Sequence, residues 1–437
     1  MPDHSSSRAS WPLRLRVGLA VLAAGVLLDT APSVEAAAPP QQLEQGASEP
    51  VLKVTDRIYQ ATGFGNTFLV LTKEGNAVVD TSNEAHARRH HEILTAVSPA
   101  PVRYVFLTHG HGDHTGGVGL WRGPETHVVA DSHFTEFRDY QWRLRGFFAQ
   151  RNSAQMARSA PKVDAYPGNY AAPPLATDLV TGRAEFHLGD LTFVCLSTPG
   201  ETPDHMTVYV PELKAAFIGD NYYGSFPNIY TLRGTEPRFA LDYVRSLDKV
   251  LELEPEIVLP SHGRPIVGKA EIERTLTKYR DAILYVHDAT VRGMNEGKDA
   301  FTLMREIKLP PELAMPEGYG AISWSVRGIY EGYAGWFDMN ASTMYAVGPA
   351  DLYGELAPLL PANAVAARAR ALVADGRPEL ALRLTDLAFA AEPADRSALE
   401  ARLEALGVLY DRAQNTIETG WLTYDIARTK KALGLKD

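Results

Sequence analysis

The stretch "FLTHGHGDHTGG", Phe106 to Gly117, places three histidines and an aspartate within six residues, directly after the apolar run "YVFL". A solvated loop gives no reason for so many coordinating side chains at this density. Gly110 and Gly112 separate them, and small residues let a backbone turn tightly enough for several side chains to converge. Neutral imidazole and carboxylate are the donors that zinc accepts. His109, His111, Asp113 and His114 therefore form a candidate metal cluster. Zn2+ is the expected ion, although iron and manganese suit the same donor types.

Four donors do not complete two ions, so partners are sought further along the chain. His205 in "GETPDHM", Asp220 in "AFIGDN" and His262 in "LPSHG" each stand where an apolar, strand-like run stops. From about residue 51 to 267 such runs alternate with helical spacing. "NTFLVLTKEGNAVVD" predicts two strands around a turn, "NEAHARRHHEILTAV" a helix, and "AEFHLGDLTFVCLSTPG" a hairpin turning at Gly189-Asp190. This is an α/β layer pattern with its reactive residues at strand ends, the usual place for a site in α/β folds. Residues 121 to 180, with "YPGNYAAPP", read as a loop-rich insertion of no assigned role.

From Lys269 onward helices dominate. "EIERTLTKYRDAILYVHDATVRGMNEG" is one long amphipathic segment. The alanine- and leucine-rich region from Ala362 to Gln414 predicts helical hairpins, tetratricopeptide-like, with breaks at Asp375-Gly376 and Glu392-Pro393.

With 437 residues the chain is too long for one core. A net charge of −10 argues against nucleic acid as the partner. Residues 1–36 read as a secretory signal: Arg8, Arg14 and Arg16 precede "VGLAVLAAGVLL", and Val34 and Ala36 provide a cleavage site. The apolar run is shorter than the roughly 20 residues that span a bilayer. Export to the periplasm or beyond, without stable membrane insertion after cleavage, is the expectation. The single cysteine, Cys195, lies in an apolar strand and is expected to pack, not to react.

The order His-x-His-x-Asp-His followed by His205, Asp220 and His262 resembles the metallo-β-lactamase superfamily. That resemblance implies an αββα sandwich over about residues 51–267. It also implies two zinc ions, one held by His109, His111 and His205, the other by Asp113, His114 and His262. Asp220 would bridge them, and Asp113 and Asp220 would be the catalytic carboxylates. Water held between two such cations is acidic enough to supply a nucleophile near neutral pH. Asp80, at the end of "AVVD", is either a turn residue or the acceptor that fixes the tautomer of a ligand histidine.

"GDNYYGSFPNIYTLRGTEPR", with Asn228, Tyr230, Thr231, Leu232, Arg233, Gly234 and Arg238, resembles the alkylsulfatase branch of that superfamily, as does "GYGAISWSVRGIYEGYAGWFDMN". The resemblance implies an all-α dimerisation domain over residues 269–430, a homodimer, and hydrolysis of an organic (alkyl) sulfate ester to alcohol and sulfate. Arg233 and Asn228, with Tyr319 and Arg238, would bind the sulfate, whose planar set of oxygens suits a guanidinium. The long alkylsulfatases usually carry glutamate where this chain has His205 and Asp220, and continue into a sterol-carrier-like domain beyond the dimerisation region. The first difference leaves the metal site intact but the substrate's identity open, and the second leads to the expectation that long detergent-like chains are not the natural substrate. Two alternatives stay open: another hydrolase on the same fold, a lactonase or β-lactamase, and a periplasmic interaction protein with a dispensable metal domain.

Overall fold

Alternation along the strands sorts the apolar residues onto two faces of each of two sheets. The computed structural model describes residues 51–158, 172–360 and 363–436; the reading of residues 1–36 as a secretion signal lies outside them. The first sheet runs in sequence order, β1 (Leu52–Lys53), β2 (Ile58–Ala61), β3 (Thr67–Thr72), β4 (Gly75–Val79), β5 (Val102–Phe106), β6 (His127–Asp131) and β7 (Asp178–Val180). The first four strands pair antiparallel, and β4 to β7 pair parallel. The second sheet contains β8 (Arg183–Leu188), β9 (Leu191–Ser197), β10 (Met206–Val210), β11 (Ala215–Gly219), β12 (Ile257–Pro260) and β13 (Ile266–Val267), also neighbours in sequence order. Both predicted hairpins form; the first turns at Lys73-Glu74, earlier than the Glu74–Asn76 expected from the sequence because Gly75 and Asn76 pair within β4, and the second turns at Gly189-Asp190.

One face of each sheet meets the other. Phe68, Val70, Val79 and Phe106 from the first sheet pack with Phe193, Met206, Val208, Phe217 and Leu259 from the second. Cys195 is buried in this same layer, and burial pushes its thiol pKa up, so it packs as a small apolar side chain. The opposite face of the first sheet, including Leu69, Val78, Val105 and Val128, is covered by Leu94 of α1 (Glu84–Val97) and Trp121 of α3 (Val118–Trp121). A single turn of helix, α2 (Gly112–Thr115), precedes α3.

The described part of residues 121 to 180 is not the loop-rich excursion that their proline and glycine content predicts, and most of "YPGNYAAPP" lies outside the described residues. The described part contains β6, β7 and two helices, α4 (Phe134–Arg143) and α5 (Arg145–Gln155). The glycine- and proline-rich motif is confined to residues 166–174, whereas Phe134 and Phe137, and Phe148 and Gln155, fall at helical spacing and are buried.

The outer face of the second sheet, with Ala216, Ile218 and Val258, is covered by α6 (Ala240–Glu252) and α7 (Lys269–Asn295). Leu303 of α8 (Ala300–Glu306) and Val326 of α9 (Ile322–Ala334) join the same cluster, so the core does not break at residue 269. The result is the four-layer αββα sandwich. Beyond it, α10 (Pro349–Leu356), α11 (Ala364–Ala374), α12 (Pro378–Ala391), α13 (Arg396–Arg412) and α14 (Thr416–Leu433) form the helical region, with breaks where the sequence placed them. Its core is small-residue packing of Ala369, Leu372, Ala381, Ala401 and Ala405. Between α9 and α10 lie large apolar side chains in water: Trp336 is 74% exposed, Met339 90% and Tyr345 66%. No helix among the described residues is long and apolar enough to cross a membrane.

Candidate metal centre and anion pocket

Strand β5 leads straight into the histidine motif, and α2 then displays Asp113 and His114 on one turn. His205 precedes β10, Asp220 follows β11, and His262 follows β12. The sandwich thereby brings three distant segments to one rim. Gly219 is required there: its φ is +53°, and a Cβ would lie 2.3 Å from His205 Nε2.

Two groups of donor atoms converge, each within 4.8 Å: His109 with His114 and Asp220, and Asp113 with His114 and His262. Asp220 Oδ2 is the hub, 3.1 Å from His262 Nε2, 3.4 Å from His114 Nε2 and 3.8 Å from His109 Nε2. His111 Nδ1 faces this cluster, 2.9 Å from His109 Nε2. His205 is stacked beside His109, and its Nε2 accepts the Asp220 backbone N–H at 3.1 Å. The convergent sets therefore cut across the division implied by the resemblance: His114 is common to both, Asp220 sits with His109, and neither set includes His111 or His205.

Asp80 supplies the support considered for it. Its Oδ2 accepts from His114 Nδ1 at 2.8 Å, from Thr108 Oγ1 at 2.7 Å and from Ser261 Oγ at 2.6 Å, and its Oδ1 accepts the Thr108 N–H at 2.8 Å. With Nδ1 so engaged, His114 Nε2 is buried and has no hydrogen-bond partner, as is Asp220 Oδ1. Orphaned buried polar atoms are costly, and two of them aimed into one nitrogen and oxygen donor set fit a divalent cation.

Electrostatics points the same way. Burial disfavours charge on His114 and His262, yet Asp220 and Asp113 outweigh it, raising His114 well above the ordinary imidazole range and His262 to about 10. Burial likewise opposes charge on Asp113 and Asp220, but these imidazoles hold both carboxyls well below their usual range. The carboxylates demand positive charge, which a cation provides as well as protons do. Burial instead lowers His109 and His111 far below normal and His205 to about 4, keeping them neutral as ligands must be.

Beside the cluster lies a cavity of about 510 Å3 that reaches His111, Asp113, Asp220 and His262 on one side and Asn228, Arg233 and Tyr319 on the other. The Arg233 guanidinium is 3.2 Å from His111 Nε2. Asn228 is buried with its Oδ1 unpartnered. Tyr319 lies edge-on to Tyr223. Arg238 also lines the cavity, but it is ion-paired to Glu201 at 2.5 Å and donates to the Asn228 carbonyl at 2.8 Å. Glu201 shares the charge of Arg238, whose Nε is buried without a hydrogen-bond partner.

Sequence reasoning missed Glu201, whose Oε1 is 3.9 Å from His111 Nδ1 and whose Oε2 accepts from Tyr243 Oη at 2.6 Å. Burial raises its pKa, Arg238 opposing. It stands four residues before His205, and only that nearness could have flagged it. Missed too were Gln155, Arg145 and Asn152 of α5, which line the cavity.

Comparison with known proteins agrees with this geometry. Residues 61–262 match the family model for the metallo-beta-lactamase superfamily, and residues 302–425 match the one for alkyl sulfatase dimerisation. A linear primary-alkylsulfatase of Pseudomonas sp. is 30% identical over 307 residues, covering 65% of this chain and 58% of the relative. The alkyl/aryl-sulfatase BDS1 of Saccharomyces cerevisiae is 26% identical over 340 residues, 71% of this chain and 52% of the relative. The solved structure of the stereoselective inverting sec-alkylsulfatase Pisa1 from Pseudomonas sp. superposes with a TM-score of 0.78 at 22% identity, over 89% of this chain and 66% of that one, and shows the shared fold. The chain spans less than two thirds of the length of these relatives.

Proposed function

We propose that this chain, a metallo-beta-lactamase domain followed by an alkyl sulfatase dimerisation domain, is a metal-dependent hydrolase of organic sulfate esters. The observation that carries the reading is the cavity that sets the Arg233 guanidinium directly against the imidazole and carboxylate cluster. A sulfate monoester is a monoanion on an acidic protein, so positive charge has to be concentrated locally. Arg233 provides it in a planar, paired-donor form that suits sulfate, and Asn228 offers a buried amide beside it.

His109, His111, Asp113, His114, His205, Asp220 and His262 would hold two zinc ions. Such ions, when bound, polarise the ester and make water nucleophilic near neutral pH. The chain's own residues prepare the rest. Asp80 fixes a hydrogen on His114 Nδ1, leaving Nε2 as the donor. His111 presents Nδ1 to the cluster, and in that role its Nε2 carries the hydrogen. Arg233 then has no acceptor on the ring and turns its donors to an anion.

Two further proposals rest on sequence and surface. Residues 1–36 direct export, and the exposed apolar segment around Trp336, Met339 and Tyr345 is covered by a second copy of the chain, consistent with its place inside the dimerisation match. The test of the function is release of inorganic sulfate from a panel of alkyl and aryl sulfates by the zinc-loaded protein, with Arg233→Ala as control. Turnover that needs metal and falls at least about 100-fold in the variant is expected; no turnover of any sulfate refutes the reading. Turnover of lactones or β-lactams independent of Arg233 would transfer the assignment to those esters and amides.

A further inference from the structure

Two residues that grip the proposed anion, Arg233 and Tyr319, sit on loops without regular structure, and both loops are held from behind. Gln155, at the end of α5, is buried, and its Oε1 accepts the Arg233 backbone N–H at 3.0 Å and the Thr231 hydroxyl at 3.4 Å. One turn earlier, Arg151 donates to the carbonyls of Leu232 at 2.6 Å and of Arg233. Helix α5 thus fixes the "TLRG" loop on both its donor and its acceptor side.

Helix α14 in turn fixes α5. Gly420 lies so close that a Cβ would stand 1.7 Å from the Gln155 carbonyl oxygen, and the Trp421 ring lies beneath the Arg151 guanidinium at 5.7 Å. The same helix reaches the second loop. Asn415 caps α14 through Oδ1, which accepts from Ile417 and Glu418 N–H, while its Nδ2 donates to the carbonyls of Glu317 at 2.7 Å and Tyr319 at 2.9 Å. The Thr416 N–H adds a bond to the Gly318 carbonyl at 2.9 Å.

We infer that the first two turns of α14 set the anion-binding side of the site, with Gln155 and Asn415 as positioning residues for Arg233 and Tyr319. Neither need touch the substrate; each acts through the loop it holds. This rests on the reading of Arg233 as the sulfate-gripping residue. It also gives the helical region a part in specificity besides association, because α14 lies more than 180 residues from Arg233 in sequence.

The experiment measures calorimetric binding of inorganic sulfate, and KM and kcat for an alkyl sulfate, on the zinc-loaded full chain. The variants are Gln155→Ala, Arg233→Ala, the double variant, Asn415→Asp and Gly420→Ala. Gln155→Ala is expected to weaken sulfate binding and raise KM about tenfold, with a smaller change in kcat, and to add nothing in the Arg233→Ala background. Asn415→Asp keeps the helix cap but loses both donors, and Gly420→Ala keeps every polar group while pushing Gln155 away. Both should raise KM, and they carry the test where Gln155→Ala fails to fold. Unchanged sulfate binding in folded Gln155→Ala and Asn415→Asp, or additive losses in the double variant, overturns the inference while leaving the function intact. Unchanged sulfate binding in Arg233→Ala overturns the functional reading and the inference together.

Discussion

The two walls of the cavity are built on different principles. The candidate metal wall hangs from strand ends: β5 stops three residues before His109, β11 one before Asp220 and β12 two before His262, and their hydrogen-bonded ladders fix where those side chains start. The anion wall hangs from loops, Asn228–Arg238 and Gly318–Gly320, whose positions depend on side-chain bonds to α5 and α14. Strand ends inherit precision from the sheet. Loops have to borrow it from whatever packs behind them, so the two walls should fail differently when disturbed.

The largest effect is expected at the hub of the metal wall. Asp220 Oδ2 lies within 3.8 Å of three imidazoles, whereas Asp113 Oδ2 comes that near to only two of them, His114 and His262. Asp220→Ala should lower kcat on the order of 10³-fold, with elemental analysis finding less than the full metal content and with little change in the secondary structure seen by circular dichroism. Retention of both metal and activity would mean that the hub is structural and that the wall works differently from the account given.

A smaller effect separates support from ligation. Asp80→Asn keeps the size of a fully buried group but turns one acceptor into a donor facing His114 Nδ1, Thr108 Oγ1 or Ser261 Oγ. Metal affinity, titrated with a competing chelator, should fall about 10- to 100-fold. Sulfate affinity at saturating metal should hardly move, since nothing on the anion wall touches Asp80. A loss of equal size in both measurements would show that the walls are one cooperative unit.

This contrast also explains how much the sequence disclosed. The convergence of the donor side chains was legible because they crowd into "HGHGDH" and recur where apolar runs stop. The sandwich was legible from strand alternation and from the turn signals at Glu74–Asn76 and Gly189-Asp190. Arg233 and Asn228 could be named only by resemblance. Gln155, Arg151 and Asn415 could not be named at all: a glutamine at the end of one helix and an asparagine at the start of another look like ordinary polar residues. Their roles exist only after residues 155, 233 and 415 have been brought together. Helix α5 was obscured further because the composition of its surroundings is dominated by "YPGNYAAPP". Arg238 lines the same cavity and pairs with Glu201, a partner that the motif did not reveal.

The smallest effect concerns acid, and it is needed to read any pH profile of the two walls correctly. Lowering the pH should weaken the metal wall first, because ligand imidazoles must be neutral, whereas guanidinium keeps its charge. His90 complicates this. It is buried on α1, with Nδ1 3.0 Å from Thr67 Oγ1, and burial lowers its pKa to about 4, the nearby Thr62 carbonyl opposing. The unfolded chain titrates this group near 6.5, so between pH 6.5 and 4 the unfolded state binds the extra proton and stability falls as pH falls. The shift corresponds to about 3 kcal/mol, and it is fully lost only below about pH 4. His90→Gln should therefore flatten the acid limb of thermal stability, measured by calorimetry from pH 7 to 4, while leaving the pH dependence of metal release unchanged. If the acid limb keeps its slope in the variant, His90 does not set it, and the imidazoles of the cluster or carboxylates held low elsewhere, such as Asp190 beside Arg57, do.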